Sequence, residues 1–151
     1  IFKQALKLHK EGVLTYAVVM VSAKTIDTIG IVPSIQKAME KALSKIQIAH
    51  PADDLYKKSL VKLDGGLKAP KEFLHQETII KGDQKEKVIG LASIMAKVTR
   101  DRYMVRIAGQ KLYVPYSFDI HKGYGTKLHR QAIQEYGVSN LHRKSICKNC
   151  R

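Results

Sequence analysis

The apolar positions of this chain change period several times, and each change marks an element. Phe2, Ala5 and Leu6, with His9 beside them, recur at the spacing of one helix face. Residues 14–21 form a Val-rich run with Tyr16 and Met20, which predicts a buried strand. Residues 22–27 then lead through Ile29, Gly30 and Ile31 to a helix beginning near Pro33, since proline suits a first turn. Ile35, Ala38, Met39, Ala42, Leu43 and Ile46 give that helix its apolar face. After the polar connection at His50 and Pro51, residues 58–63 predict a short strand that delivers Asp64 at its carboxyl end. A loop broken by Pro70 follows, and residues 77–81 predict another strand, ending at Gly82 and Asp83. From Glu86 the period is helical, with Val88, Leu91, Ala92, Met95 and Val98 on one face. Residues 113–116 make a kinked connection and residues 118–125 a basic loop. The last helix covers residues 127–136, with Gly137 placed to end it. Strands alternate with helices and no repeat or internal linker interrupts them. The pattern predicts one α/β domain over residues 1–151, with 146–151 as a tail.

One helix departs from a plain core pattern. Ser93, Lys97 and Asp101 stand four residues apart and run as a polar stripe along the segment that begins at Glu86. The same spacing would suit an exposed Lys97–Asp101 ion pair. Asp64 precedes Gly65 and Gly66, which let the backbone turn away from the carboxylate, although an Asp in that place also suits an ordinary turn. Tyr124 sits between Gly123 and Gly125, where a tight turn can push a ring outward, or where the ring can pack against the last helix.

Charge narrows the class of partner. Lys and Arg number 27 against 13 Asp and Glu, a net charge of +14, and such an excess repels itself unless a polyanion is near. Nucleic acid is the expected partner, and a basic ribonucleoprotein subunit would show the same balance. The 44% apolar content excludes a disordered chain. No apolar run approaches membrane-spanning length, so no membrane partner is expected. The two cysteines, Cys147 and Cys150, are too few for a disulfide framework or a complete zinc site, even with His142 as a third ligand. The start at Ile1, in the middle of a helical pattern, reads as a fragment of something longer, or as the ordered part of it.

Three acids at element boundaries, Asp64, Asp83 and Asp101, are notable in so basic a chain. Hard divalent ions take carboxylate oxygens, and two such ions roughly 3.5–4 Å apart can drive phosphodiester hydrolysis. Lys122 lies beside the Tyr124 ring, a pairing of cation and aromatic that suits a nucleic-acid strand.

The wording of these segments is similar to that of ribonuclease HII. Lys81-Gly82-Asp83 followed by ASI-x-AKVTRDR resembles that family's metal-site helix, and LDGG at 63–66, HKGYGT at 121–126 and HRKS at 142–145 follow its other motifs. The resemblance runs from about residue 13 to residue 145, and it departs from the family in lacking the Asp-Glu-x-Gly-Arg-Gly strand. It implies a ribonuclease H-like fold, a mixed sheet in the order 3-2-1-4-5 flanked by helices. Strands 3, 4 and 5 would be supplied here, and the first two strands would be absent from this chain. Another chain or an N-terminal segment would then complete the sheet. The resemblance makes Asp64 and Asp101 catalytic ligands of Mg²⁺ or Mn²⁺, and Tyr124 the residue that meets the ribose 2′-hydroxyl. Lys122, Arg143 and Lys144 would meet phosphates, with Asp83, Lys97 and Ser93 in support. The implied activity is cleavage of the RNA strand of RNA–DNA hybrids, including single ribonucleotides embedded in duplex DNA, in the cytoplasm. The alternative is a catalytically inactive, basic nucleic-acid-binding or ribonucleoprotein subunit that keeps the fold.

Overall fold

A computed structural model describes residues 1–147. Its elements are α1 (Phe2–Lys10), α2 (Ala23–Ile29), α3 (Ile31–Ala49), α4 (Leu55–Lys58), β1 (Leu60–Asp64), β2 (His75–Ile79), α5 (Gly82–Lys85), α6 (Lys87–Ala108), α7 (Phe118–His121) and α8 (Lys127–Tyr136), with a 3-10 turn at Val114–Tyr116. The fold is α/β and ribonuclease H-like in class, a small parallel sheet flanked by helices. The chain forms two compact units, one from Ile1–Met20 with Val32–Val98, the other from Val21–Ile31 with the described residues from Thr99 on.

In the first unit β1 and β2 pair in parallel, from Leu60 opposite His75 to Asp64 opposite Ile79. The sheet's buried side is built by Leu63, Ala69 and Phe73, against which Met39 and Leu43 of α3, Leu55, Val61 and Leu67 pack. Lys62, half-buried in mid-strand, donates to Glu86 at 2.8 Å and lies 3.9 Å from Glu77. A carboxylate on each side holds this ammonium in its charged form, and the hydrogen bond from Lys62 to Glu86 raises its pKa. One lysine thereby ties β1 to β2 and to the entrance of α6.

Two expectations fail in this unit, each for a physical reason. Residues 14–21 join no ladder, so the predicted strand is absent among the described residues. A strand forms where a neighbour takes its N–H and C=O groups, and neither β1 nor β2 pairs with this segment. It is held by α1 and the end of α3 instead: His9 Nδ1 meets the Leu14 carbonyl at 2.8 Å, and Thr15 meets His50 at 2.6 Å. The apolar face of α6 is also narrower than its period implied. Met95 is buried and Leu91, Ile94 and Val98 half-buried, whereas Val88 and Ala92 stand exposed. A two-stranded sheet is too small to cover the outer row of that stripe.

The second unit is organised around Phe118, which is 1% exposed. Met104, Ile107 and Ala108 of α6, Tyr113, Tyr116 and Ala132 close around it. Tyr116 stacks on the Phe118 ring at 5.4 Å and donates its hydroxyl to the Gly137 carbonyl, where α8 ends as its sequence predicts. The segment 22–27, expected as a connection, is helical. Ser22 caps α2 by accepting from the Thr25 amide, an N-cap that gives a seven-residue helix its start.

Candidate nucleic-acid cleavage site

Asp64 ends β1 with its carboxylate exposed, as the strand reading implied. Its Oδ1 accepts from the Gly82 amide at 2.8 Å, so the strand end is tied to the turn that follows β2. That turn tolerates little else. A Cβ on Gly82 would lie 2.6 Å from Ile89 Cδ1, and one on Gly90 would lie 2.8 Å from the Asp83 carbonyl oxygen. Asp83 therefore contributes through its backbone as the seat of α6, while its side chain is exposed. Ser93 and Lys97 stand exposed on α6. Lys97 makes none of the ion pairs of the described residues, so the alternative reading of a Lys97–Asp101 pair fails. Asp101 turns to Arg100, whose guanidinium is 3.0 Å from its Oδ1.

The second unit brings two of the predicted residues together. The Tyr124 hydroxyl donates to Asp101 Oδ1 at 3.4 Å, a long hydrogen bond, and the Arg100 guanidinium lies 4.7 Å from the Tyr124 ring centre. Arg100 thus touches both partners, as a cation on the ring face and as a donor to the carboxylate. Tyr124 is 48% exposed, and its ring stands beneath Arg100 of α6. Gly123 makes the approach possible. Its φ is +79°, and a Cβ there would stand 3.3 Å from both Arg100 and Met104.

Lys122 departs from its expected surroundings. Its residue is left-handed, with φ 51°, and its ammonium donates to the carbonyls of Asp119 and Ile120 at 2.9 and 3.0 Å. It caps α7 within what was expected to be plain loop. Arg143 and Lys144 are exposed, and the chain beneath them is fixed by Asp27 of α2, which accepts from the amides of Lys144 and Ser145 and from the Ser145 hydroxyl. Those donors, the Ser145 hydroxyl first, hold the Asp27 carboxyl below its ordinary range. Cys147 is half-buried, and Cys150, its partner in the cysteine tail, lies outside the described residues.

Three buried histidines escaped the sequence reading as a group, although two of them lie in quoted motifs. His121 stacks on His129 with ring centres 4.4 Å apart, and His129 Nε2 meets His142 Nε2 at 2.9 Å. Burial pushes His129 below its ordinary pKa, and burial with the neighbouring His129 pushes His142 down to about 4. His129 and His142 are therefore neutral at neutral pH. With both nitrogens of His142 engaged, by the Ser139 amide and by His129, it is unsuited to the third zinc position weighed above. The signal available in the sequence was Thr126 three residues before His129: Thr126 caps α8 by accepting from the His129 amide, which points that ring inward.

The carboxylates suit a hard cation in kind. Asp64 and Asp101 each have Oδ1 anchored by a protein donor, and no hydrogen bond from a described residue reaches either Oδ2. Among the described residues no three His, Cys, Asp or Glu side chains gather as a metal-holding group. No helix among them is long and apolar enough to cross a membrane.

Comparison with known proteins agrees with the motifs. The family model described as Ribonuclease HII matches residues 58–149. The chain is 42% identical over 150 residues to Ribonuclease HII of Caldicellulosiruptor saccharolyticus, covering 97% of this chain and 68% of the relative. It is 41% identical over 137 residues to Ribonuclease HII of Endomicrobium trichonymphae, covering 91% and 60%, and 39% identical over 140 residues to that of Clostridioides difficile, covering 93% and 51%. The match thus spans between about half and two thirds of these relatives' lengths. Family model and identity agree: the chain belongs to the ribonuclease HII family, a family of endonucleases.

Proposed function

We propose that this protein cleaves the RNA strand of RNA–DNA hybrids, including single ribonucleotides embedded in duplex DNA, leaving 3′-hydroxyl and 5′-phosphate ends. Residues 1–151 are read as one domain acting in the cytoplasm on DNA that carries ribonucleotides. The observation that carries the reading is the contact between Tyr124 and Asp101. The residue assigned to the ribose touches the residue assigned to cleavage, so recognition of a 2′-hydroxyl and hydrolysis of the adjoining phosphodiester are coupled in one place.

In this reading Asp64 and Asp101 would each serve as a ligand for Mg²⁺ or Mn²⁺; the Gly82 amide fixes the Asp64 carboxylate in direction, and the Arg100 and Tyr124 donors fix that of Asp101. Bound divalent ions supply activation of the attacking water and charge neutralisation at the leaving oxygen. Tyr124 lays its ring against the ribose and excludes misplaced substrates. Arg143 and Lys144 take phosphates, and Lys122, whose ammonium already caps two carbonyls, contributes to the same field. Ser93, Lys97 and Asp83 support the helix and its seat. The test is incubation of the full-length protein with a duplex holding one ribonucleotide, with Mg²⁺, with Mn²⁺ and with chelator. Metal-dependent cutting at the ribonucleotide is expected; tight binding without cutting under every condition would instead mean a binding subunit that keeps the fold.

A further inference from the structure

The turn that presents Tyr124 is gripped by imidazoles. The Gly123 amide donates to His121 Nδ1 at 3.1 Å, and His121 Nε2 therefore carries the proton and donates to the Tyr116 carbonyl at 2.7 Å. The Ser139 amide donates to His142 Nδ1 at 2.9 Å, so the neutral His142 carries its proton on Nε2 and donates to His129 Nε2 at 2.9 Å. His129 is then left with its proton on Nδ1, which donates to the Tyr124 carbonyl at 3.0 Å. Each bond dictates the next tautomer, from Ser139 to the backbone of Tyr124. All three rings are buried, against Phe118. A solely space-filling core would use apolar side chains here, because every buried ring nitrogen costs free energy unless it is paired.

We propose that His129, locked in one tautomer by His142, is a positioning residue that aims the Tyr124 ring, and that His142 acts through it. The inference rests on the assignment of Tyr124 to the ribose. Loss of the His129 proton donor frees the Tyr124 carbonyl and lets the turn relax, although the ring stays attached to the chain. A small displacement at a reacting geometry costs far more rate than affinity. The charged and titratable groups around the pair include His121 on α7, Arg100 on α6 and Tyr116, whose ring centre is 5.1 Å from that of His142, and a proton added to His129 or His142 would set two N–H groups against each other.

Three variants of the full-length protein test this, beside Tyr124→Ala. His129→Leu removes both bonds; His129→Asn keeps a donor where Nδ1 stood; His142→Asn keeps the acceptor for Ser139 and removes the donor to His129. Single-turnover cleavage at an embedded ribonucleotide and equilibrium binding to the same duplex are measured well below each variant's melting temperature. His129→Leu should lose about 100-fold in rate with duplex affinity unchanged. His129→Asn should recover most of that loss, and His142→Asn should fall between them. In the double variant with Tyr124→Ala, His129→Leu should cause no further loss, because it acts through that ring. Additive losses, Asn no better than Leu at position 129, or parental rate in His142→Asn would overturn the proposal. Parental rate in Tyr124→Ala would instead overturn the ribose assignment, so the two failures are told apart. If His129→Leu does not fold, the Asn variants at 129 and 142 decide alone.

Discussion

The Tyr124 hydroxyl reaches Asp101 Oδ1 across 3.4 Å while Arg100 holds both, its guanidinium 4.7 Å from the ring centre and 3.0 Å from the carboxylate. Two bonds of different kinds bear on one ring, and substitution separates them. Tyr124→Phe keeps the ring beneath Arg100 and loses only a long hydrogen bond, so its cleavage at an embedded ribonucleotide should fall about tenfold or less. Tyr124→Ala also loses the ring and should slow single-turnover cleavage by about 100-fold, with plain duplex DNA bound nearly as before. Equal losses of rate and affinity in the alanine variant, or a loss that follows its melting temperature, would make Tyr124 part of the scaffold.

Affinity for duplex should fall with salt. About four phosphate contacts give a slope near −3 to −4 in log K against log salt. The structure divides the candidates, since the Lys122 ammonium is spent on two carbonyls while Arg143 and Lys144 point into solvent. Arg143→Ala should lower the slope by about one, and Lys122→Ala by less. A titration that stays flat between low and moderate salt would remove the electrostatic account.

Gly90→Ala tests the seat of α6. Helix propensity alone favours alanine by up to about 1 kcal/mol. The added Cβ, however, would stand 2.8 Å from the Asp83 carbonyl oxygen, a backbone atom that can move only with its turn. The clash should dominate, with a net destabilisation of about 1–3 kcal/mol in chemical denaturation. A more stable variant would show that this turn yields freely.

The buried imidazoles should make stability depend on acid. His129 and His142 are both held below the ordinary 6.5, His142 at about 4, so the unfolded chain takes up these protons before the folded one does. Their contribution is complete above about pH 6.5 and is lost as pH falls towards 4, by roughly 3 kcal/mol at most for His142. Urea midpoints between pH 4 and 8 should show this fall in the parent and a shallower one in His142→Asn. Parallel profiles would mean that other groups govern the acid limb.

Much of this was legible in the chain. The helix period marked α1, α3, α6 and α8, and the strand signals found β1 and β2 within two residues, because local spacing and turn residues decide those elements. Residues 14–21 misled for the opposite reason: a Val-rich run shows a preference for strand, but only a neighbouring ladder makes one, and that is not a local property. The motifs single out the individual acids and Tyr124 as candidates. Their companions could not. Arg100 stands next to Asp101 in sequence yet gains its place by meeting Tyr124, 24 residues further on, and the histidines at 121, 129 and 142 meet only when α7, α8 and the segment after α8 close on Phe118. Pairings across loops leave no period to read.

The central claim, metal-dependent cleavage that relies on Asp101, is tested most directly by one comparison. Single-turnover cleavage of a duplex with one embedded ribonucleotide is measured in Mg²⁺ and in Mn²⁺ for the parent and for Asp101→Asn, with hybrid binding measured alongside; Asp64→Asn serves as the second arm. The account predicts metal-dependent cutting by the parent, loss of that cutting in both variants, and binding largely retained, because a ligand has been removed and the basic surface has not. Cutting by Asp101→Asn at the parental rate would contradict it.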